Sequence, residues 1–380
     1  MTADIASHFG AISAGVSSVS QPQPPTWQQI IGDLLAGHDL SASQSSWAMD
    51  ETMRGRATPV LLSAFLIALR AKGVSVAEMR ALSDTMLAHA EPFPAAPQVR
   101  ALDIVGTGGD GFHTVNLSTM AAIVAAGAGA AVVKHGNRAA SSLAGSADVL
   151  EAIGVRLDLD PTGVSEVARR CGITFCFAAA FHPSMRHAGP TRRELGVPTA
   201  FNYLGPLTNP AQPTYSAVGV GAASMAPVIA GVFADRKKSA VVFRGEDGLD
   251  EVTPATTTRV WWVEGGHITK LMADPRRVGF ELSPIDLLRG QDAGYNAAVL
   301  RDVCAGQLGP IRDAVVLNAG MALALALRAE GSDEATPVRD DAALHEHWTR
   351  GIQAARESID SGRAERVLQD WVAATAELAG

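Results

Sequence analysis

The chain has 380 residues, 47% hydrophobic and 18% charged, enough for a large buried core. At roughly 100–200 residues per domain that length suggests two domains. Its 39 acidic and 31 basic residues leave a net charge of −8, and no lysine- or arginine-rich block occurs anywhere. This argues against a dedicated nucleic-acid binder, which carries a basic footprint to neutralise phosphates, and leaves room for a local basic pocket for one anionic ligand.

The elements follow in chain order. Residues 1–25, rich in Ser, Ala, Gln and Pro, are expected to form a flexible tail. They lack a basic flank and a continuous apolar stretch, so no secretory leader is expected and the cytoplasm is the expected compartment. From Trp27 the pattern turns helical. Ser41 with Gln44 and Ser75 with Glu78 have the capping-box spacing, and Thr58 precedes a proline suited to a first helical turn. A helical domain of about four helices is predicted over 26–92, with a linker over 91–97 marked by three prolines.

After it, short β-branched runs at 101–105, 131–133, 173–178, 215–220 and 239–243 alternate with helical patterns at 119–126, 161–170 and 225–236. That alternation predicts an α/β domain over 98–380, with a mostly parallel central sheet flanked by helices. A further strand is expected at 256–263, and pairs of helices are expected to close the chain, those at 343–358 and 364–378 being the clearest. The longest apolar run, 120–133, is too short for the ~20 residues of a membrane span, is broken by glycines and reads as helix running into strand. Cys171, Cys176 and Cys304 show no C-x-x-C spacing and are expected to be plain core residues in a reducing compartment.

Four segments could carry chemistry. Gly106-Thr107-Gly108-Gly109-Asp110-Gly111 follows the first strand, and Asn116-Leu117-Ser118-Thr119 stands where the next helix begins. Glycines allow close backbone approach, and a helix start offers free amides to a phosphate. The spacing matches neither a dinucleotide fingerprint nor a P-loop, and an ordinary strand-to-helix turn would use the same residues. Next, Lys134-His135-Gly136-Asn137-Arg138-Ala139-Ala140-Ser141-Ser142 is expected as a loop after the second strand, either an anion pocket or a solvated basic turn. Asp250-Glu251 could hold magnesium through hard oxygens, or could be an acidic surface turn. Finally, the arginines of His182-Pro183-Ser184-Met185-Arg186-His187 and Arg192-Arg193-Glu194 suit a carboxylate or phosphate, or structural caps and ion pairs.

The ordered set GTGGDG, NLST, KHGNRAASS, HPSMRHAGPTRRELG, FNYLGPLTNP and GEDGLDE resembles the anthranilate phosphoribosyltransferases, within the nucleoside-phosphorylase-like class, across roughly residues 27–330. The resemblance implies a small helical domain, to which residues 183–210 contribute, a larger α/β domain, a cleft between them and a homodimer. It implies that Gly106, Gly109, Asp110, Thr114, Asn116, Leu117, Ser118, Thr119, Lys134, His135, Gly136, Asn137, Arg138, Ala139, Ala140, Ser141, Ser142 and Ser146 bind phosphoribosyl pyrophosphate. Gly106, Asn137 and Arg192 would contact anthranilate. Ser118, Asp250 and Glu251 would hold magnesium, two ions per site, and no residue would have a dedicated acid–base role. Where relatives often read GG-A-D, this chain has Gly145-Ser146-Ala147-Asp148, and Met185 lies beside the expected acceptor pocket. A pyrimidine nucleoside phosphorylase, or a non-catalytic relative that binds nucleic acid, are the alternatives.

Overall fold

The computed structural model describes residues 24–94, 100–139, 143–327 and 337–380. The expected tail therefore lies almost wholly outside the described residues, as do Ala140, Ser141, Ser142 and part of the 91–97 segment.

The first unit is helical: α1 (Trp27–Leu35), α2 (Ala42–Met53), α3 (Pro59–Lys72) and α4 (Val76–Ala88). Their starts are set by side chains that occupy orphan backbone donors. Ser41 with Gln44 and Ser75 with Glu78 form reciprocal capping boxes, as does Thr26 with Gln29. Thr58 accepts from the Leu61 amide ahead of Pro59.

The larger unit opens with β1 (Leu102–Gly106), α5 (Leu117–Gly127), β2 (Val132–Gly136), α6 (Ser146–Ile153), α7 (Pro161–Cys171) and β3 (Ile173–Phe177). There follow α8 (Ala178–Phe181), α9 (Gly189–Leu195), β4 (Tyr215–Gly219), α10 (Ala226–Asp235) and β5 (Ser239–Gly245). The chain closes with β6 (Thr258–Glu264), β7 (His267–Ala273), α11 (Ala293–Cys304), α12 (Pro310–Ala326), α13 (Asp341–Asp360) and α14 (Arg363–Ala379).

The strands form one seven-stranded sheet in the order β3-β2-β1-β4-β5-β6-β7. The pairs from β3 to β5 are parallel, and β6 and β7 add an antiparallel edge. β7 was not expected from the sequence, although Gly265-Gly266 between two alternating runs is a hairpin signal. Because β2 and β3 lie on one side of β1 and β4 on the other, the sheet changes direction between β1 and β4. In open α/β sheets ligands bind outside the strand ends at such a switch point.

Alternation along the central strands builds two cores. Leu102, Ile104, Ala217, Val241 and Phe243 face one way, towards α5 and α12. Val105, Val218, Val220, Ala240 and Val242 face the other way, into a cluster with α10 and α1–α4. Ala188, Phe201, Leu204 and Leu207 join this second cluster, so the 183–210 stretch packs beside the helical unit. Nearly all of α12 is buried. A helix that is apolar all round has no amphipathic period, which is why the sequence did not reveal it.

Candidate active site

Glycines end the strands that meet at the switch point: β1 at Gly106, β2 at Gly136, β4 at Gly219 and β5 at Gly245. Gly106 and Gly219 are registered partners across β1 and β4. Over this edge lies Asp250. A Cβ on Gly106 would stand 2.5 Å from Asp250 Oδ2, and one on Gly219 would overlap the Asp250 carbonyl oxygen. The Gly108 amide donates to Asp250 Oδ2 at 2.6 Å, and the Asp250 amide donates to Asp110 Oδ2 at 3.3 Å. The glycine loop thus wraps a carboxylate. Gly219→Ala is expected to destabilise the fold by roughly 3 kcal/mol or more, because the clash is with backbone that cannot rotate away. A thermal melt unchanged from wild type would contradict it.

Asp250 and Glu251 are both buried. Burial, then the neighbouring Asp110 carboxylate, push Asp250 up to about 7. Burial, then Asp250, push Glu251 well above the usual carboxylate range, while Lys134 and the Ser118 amide pull it back. The acidic pair is therefore no surface turn. Ser118 sits in the first turn of α5, where Asn116 makes no capping bond because its side chain is engaged elsewhere. Asn116 Nδ2 donates to the Ala144 carbonyl at 3.1 Å, and Asn296 Nδ2 donates to Asn116 Oδ1 at 2.9 Å. Thr114 forms an isolated bridge with Arg289, and Leu117 and Thr119 are buried in the same turn.

The basic segment departs from expectation. Lys134, His135 and Gly136 belong to β2 and not to a loop, because the strand runs on past Val133. Lys134 and His135 are each only 2% exposed. Lys134 Nζ donates to the Ile104 carbonyl and, at 3.3 Å, to Ser118 Oγ. Burial lowers its pKa, against the attraction of Asp103, Glu251 and Asp250. Asp103, which sequence reasoning missed, is fully buried; burial pushes it up to about 6 against the pull of Lys134. His135 Nδ1 lies 2.9 Å from the Gly205 carbonyl, and burial drives its pKa down to about 3, which makes it a neutral structural tie at neutral pH.

Beyond β2 the loop folds back on α6. The Ala139 and Gly145 amides donate to Asp148 Oδ2, and Ser146 Oγ donates to the Asn137 carbonyl at 3.3 Å. The Arg138 guanidinium is held by Asp148 and Glu151 and lies over Phe177. Its side chain is thereby committed to the loop's own architecture. Asn137 is exposed at the head of this loop, and Gly109 at that of the other.

Arg192 stands apart, in α9. It is half-buried, lies 5.9 Å from the Phe201 ring centroid, and meets no carboxylate among the described residues. Burial alone lowers its pKa. A guanidinium in that position is suited to a ligand carboxylate.

The donor set fits magnesium. Among the described residues no group of three or more His, Cys, Asp or Glu side chains is disposed to hold a metal by itself. Magnesium, however, takes one or two protein carboxylates and fills its shell with water and substrate phosphates. Two buried carboxylates held above their usual range, which Lys134 offsets only in part, present negative charge that a divalent cation relieves.

Comparison with known proteins decides the family. The model of the glycosyl transferase family α/β domain matches residues 98–365, and that of its helical bundle domain residues 28–90. An anthranilate phosphoribosyltransferase of a Nocardioides species is 56% identical over 92% of this chain and 99% of its own length. One from an Arthrobacter species is 53% identical over 92% of this chain and 96% of its own length. The chain belongs to the anthranilate phosphoribosyltransferase family. The Thermus thermophilus enzyme superposes with a TM-score of 0.82 at 38% identity, covering 91% of this chain and 99% of that one. The Saccharomyces cerevisiae enzyme, solved in complex with phosphoribosyl pyrophosphate and magnesium, gives 0.80 at 28% identity, covering 93% and 98%. The family matches the expected helical and α/β architecture, and these relatives agree with the transferase reading and not with the phosphorylase alternative. Among the described residues no helix is long and apolar enough to cross a membrane.

Proposed function

We propose that the chain transfers the phosphoribosyl group of phosphoribosyl pyrophosphate to the amine of anthranilate, releasing pyrophosphate, in tryptophan biosynthesis. The observation that carries the site assignment is the buried Asp250–Glu251 pair, seated against Gly106 and Gly219 beside Ser118 and Lys134. Magnesium, when bound by Ser118, Asp250 and Glu251, supplies positive charge that stabilises the departing pyrophosphate. Two ions per site are expected, and calorimetric titration would count them. Lys134 shares the task as a fixed ammonium, and the glycine-loop amides and the α5 start provide donors for phosphate oxygens.

On the acceptor side, Arg192 holds the anthranilate carboxylate, while Gly106 contacts the acceptor and Asn137 orients its amine. An aromatic amine is unprotonated near neutral pH, so positioning replaces a strong general base. His135, neutral and tied to Gly205, has no proton-transfer role. Arg192→Ala should raise the KM for anthranilate at least tenfold and that for the sugar donor less than twofold. Equal rises would remove Arg192 from the acceptor site.

The test of the whole reading is loss of anthranilate fluorescence on mixing with phosphoribosyl pyrophosphate, with and without magnesium. Rapid, metal-dependent loss is expected; a folded chain that leaves the fluorescence unchanged would overturn it. We assign the helical domain to 26–92, with 183–210 packed beside it, and the α/β domain to 98–380, in a cytoplasmic homodimer. Leu35 of α1 and Val60 of α3 are 75% and 77% exposed, which supports pairing through the helical domain. Light scattering at the mass of one chain would exclude the dimer.

A further inference from the structure

The seam between β1 and β2 is faulted. β1 pairs with β4 from Leu102 to Gly106, and β2 pairs with β3 from Val132 to Gly136. Between β1 and β2, however, the only registered pair is Leu102 with Val132, although both strands continue. A parallel ladder that stops inside a buried sheet leaves amides and carbonyls to be satisfied by other groups.

Side chains take them up. The Asp103 carboxylate accepts from the His135 amide across the seam at 3.1 Å and from the Ile104 amide on its own strand. Asn209 Nδ2 donates to the Val133 carbonyl at 2.8 Å and to Asp103 Oδ2 at 2.9 Å. Lys134 Nζ takes the Ile104 carbonyl. Asp103 is 1% exposed and Asn209 4%. An unbroken ladder would need none of these polar side chains, and burying them is unfavourable. The fault lies between the two strands whose ends carry the glycine loop and the Gly136–Ala139 segment, and it lets Lys134 reach Ser118.

We infer that Asp103 and Asn209 are positioning residues that wedge β1 from β2 and thereby set the spacing of the two phosphate-side segments. Neither touches the reacting groups. Their effect passes through Lys134 and the two strand ends, so it falls on the sugar donor and spares the acceptor. The inference rests on the donor site proposed above.

The test uses Asp103→Asn and Asn209→Ser. In Asp103→Asn an amide group faces the Asn209 amide, donor against donor. The KM for phosphoribosyl pyrophosphate should rise at least tenfold while that for anthranilate stays within twofold, with the far-ultraviolet dichroism unchanged. Asn209→Ser, a gentler change, should give the same split should Asp103→Asn fail to fold. An unchanged donor KM, or equal rises for both substrates, would overturn the wedge. Should the wild type itself turn over neither substrate, the functional reading falls separately. The wedge is then judged by hydrogen exchange: Asp103→Asn must speed exchange of the His135 amide and leave that of Val218, in the intact β1–β4–β5 ladder, unchanged.

Discussion

Replacing Asp250 by Asn together with Glu251 by Gln is expected to abolish magnesium-dependent turnover, by a factor of ~10³ or more, and to stabilise the metal-free chain. Both effects have one origin. Asp250 is pushed up to about 7 by burial and by the neighbouring Asp110 carboxylate, and Glu251 well above its usual range by burial and by Asp250. A carboxyl whose folded value is raised contributes stability that is fully present below its unfolded value, near 4. That stability is lost as the pH rises through the folded value. For Asp250 the loss runs from about pH 4 to about pH 7. At pH 8 the metal-free wild type therefore carries the full Asp250 penalty, and the amide pair, which cannot ionise, does not. A gain on the order of 1–3 kcal/mol is expected, at ~1.4 kcal/mol per pKa unit after allowance for relaxation of the pair. His135 works in the opposite sense. Held down to about 3, it stays neutral in the fold while the unfolded chain takes up a proton, so stability falls as pH drops from about 6.5 towards 3. It is common to both chains and cancels in their comparison.

Thermal melts of wild type and variant at pH 5 and pH 8, with and without magnesium, separate these effects. The variant should be the more stable at pH 8 without metal, and the gap should narrow at pH 5. Magnesium should raise the midpoint of the wild type only, by mass action on the folded state. Near-normal turnover in the variant would remove the metal role of the pair. A variant less stable than wild type at pH 8 would mean that the carboxylates are compensated in the fold after all.

Lys134→Met should lose on both counts. The ammonium lies among Asp103, Glu251 and Asp250, with the Ile104 carbonyl and Ser118 hydroxyl as hydrogen-bond partners. Removing one partner from a buried charged cluster leaves the others uncompensated, at ~3–5 kcal/mol. Losing a fixed positive charge beside a leaving pyrophosphate should lower kcat/KM for the donor by a further ~10²–10³. Lys134→Arg should not rescue it, because a side chain this buried has no space for a planar fork. Denaturant unfolding and steady-state rates would check the two halves. A variant with wild-type stability would place the lysine's charge outside the fold's electrostatic balance.

Local signals in the sequence determined much of the fold. The capping serines and threonine placed the helices of the first unit, since a helix start is satisfied by residues within a turn of it. Alternating runs placed six of the strands, and glycine at the strand ends marked where a ligand could come close. The motif order identified the family and named Asp250, Glu251, Lys134 and Ser118. Other features depended on partners far along the chain. β7 and α12 carried weak local patterns, the one as an edge strand and the other as a helix apolar on every side. No spacing rule shows that Asp250 lies across Gly106 and Gly219, that Arg138 is spent on Asp148 and Glu151, or that Lys134 and His135 lie in a buried strand. Nor does any rule reveal Asp103, which in the sequence is a lone polar residue in an apolar run. Local sequence determined which residues could cap, pair or bind. Only the tertiary structure decided which were buried together, because the cost of burying a charge, and so its pKa and its use, depends on neighbours that the fold brings from a hundred residues away.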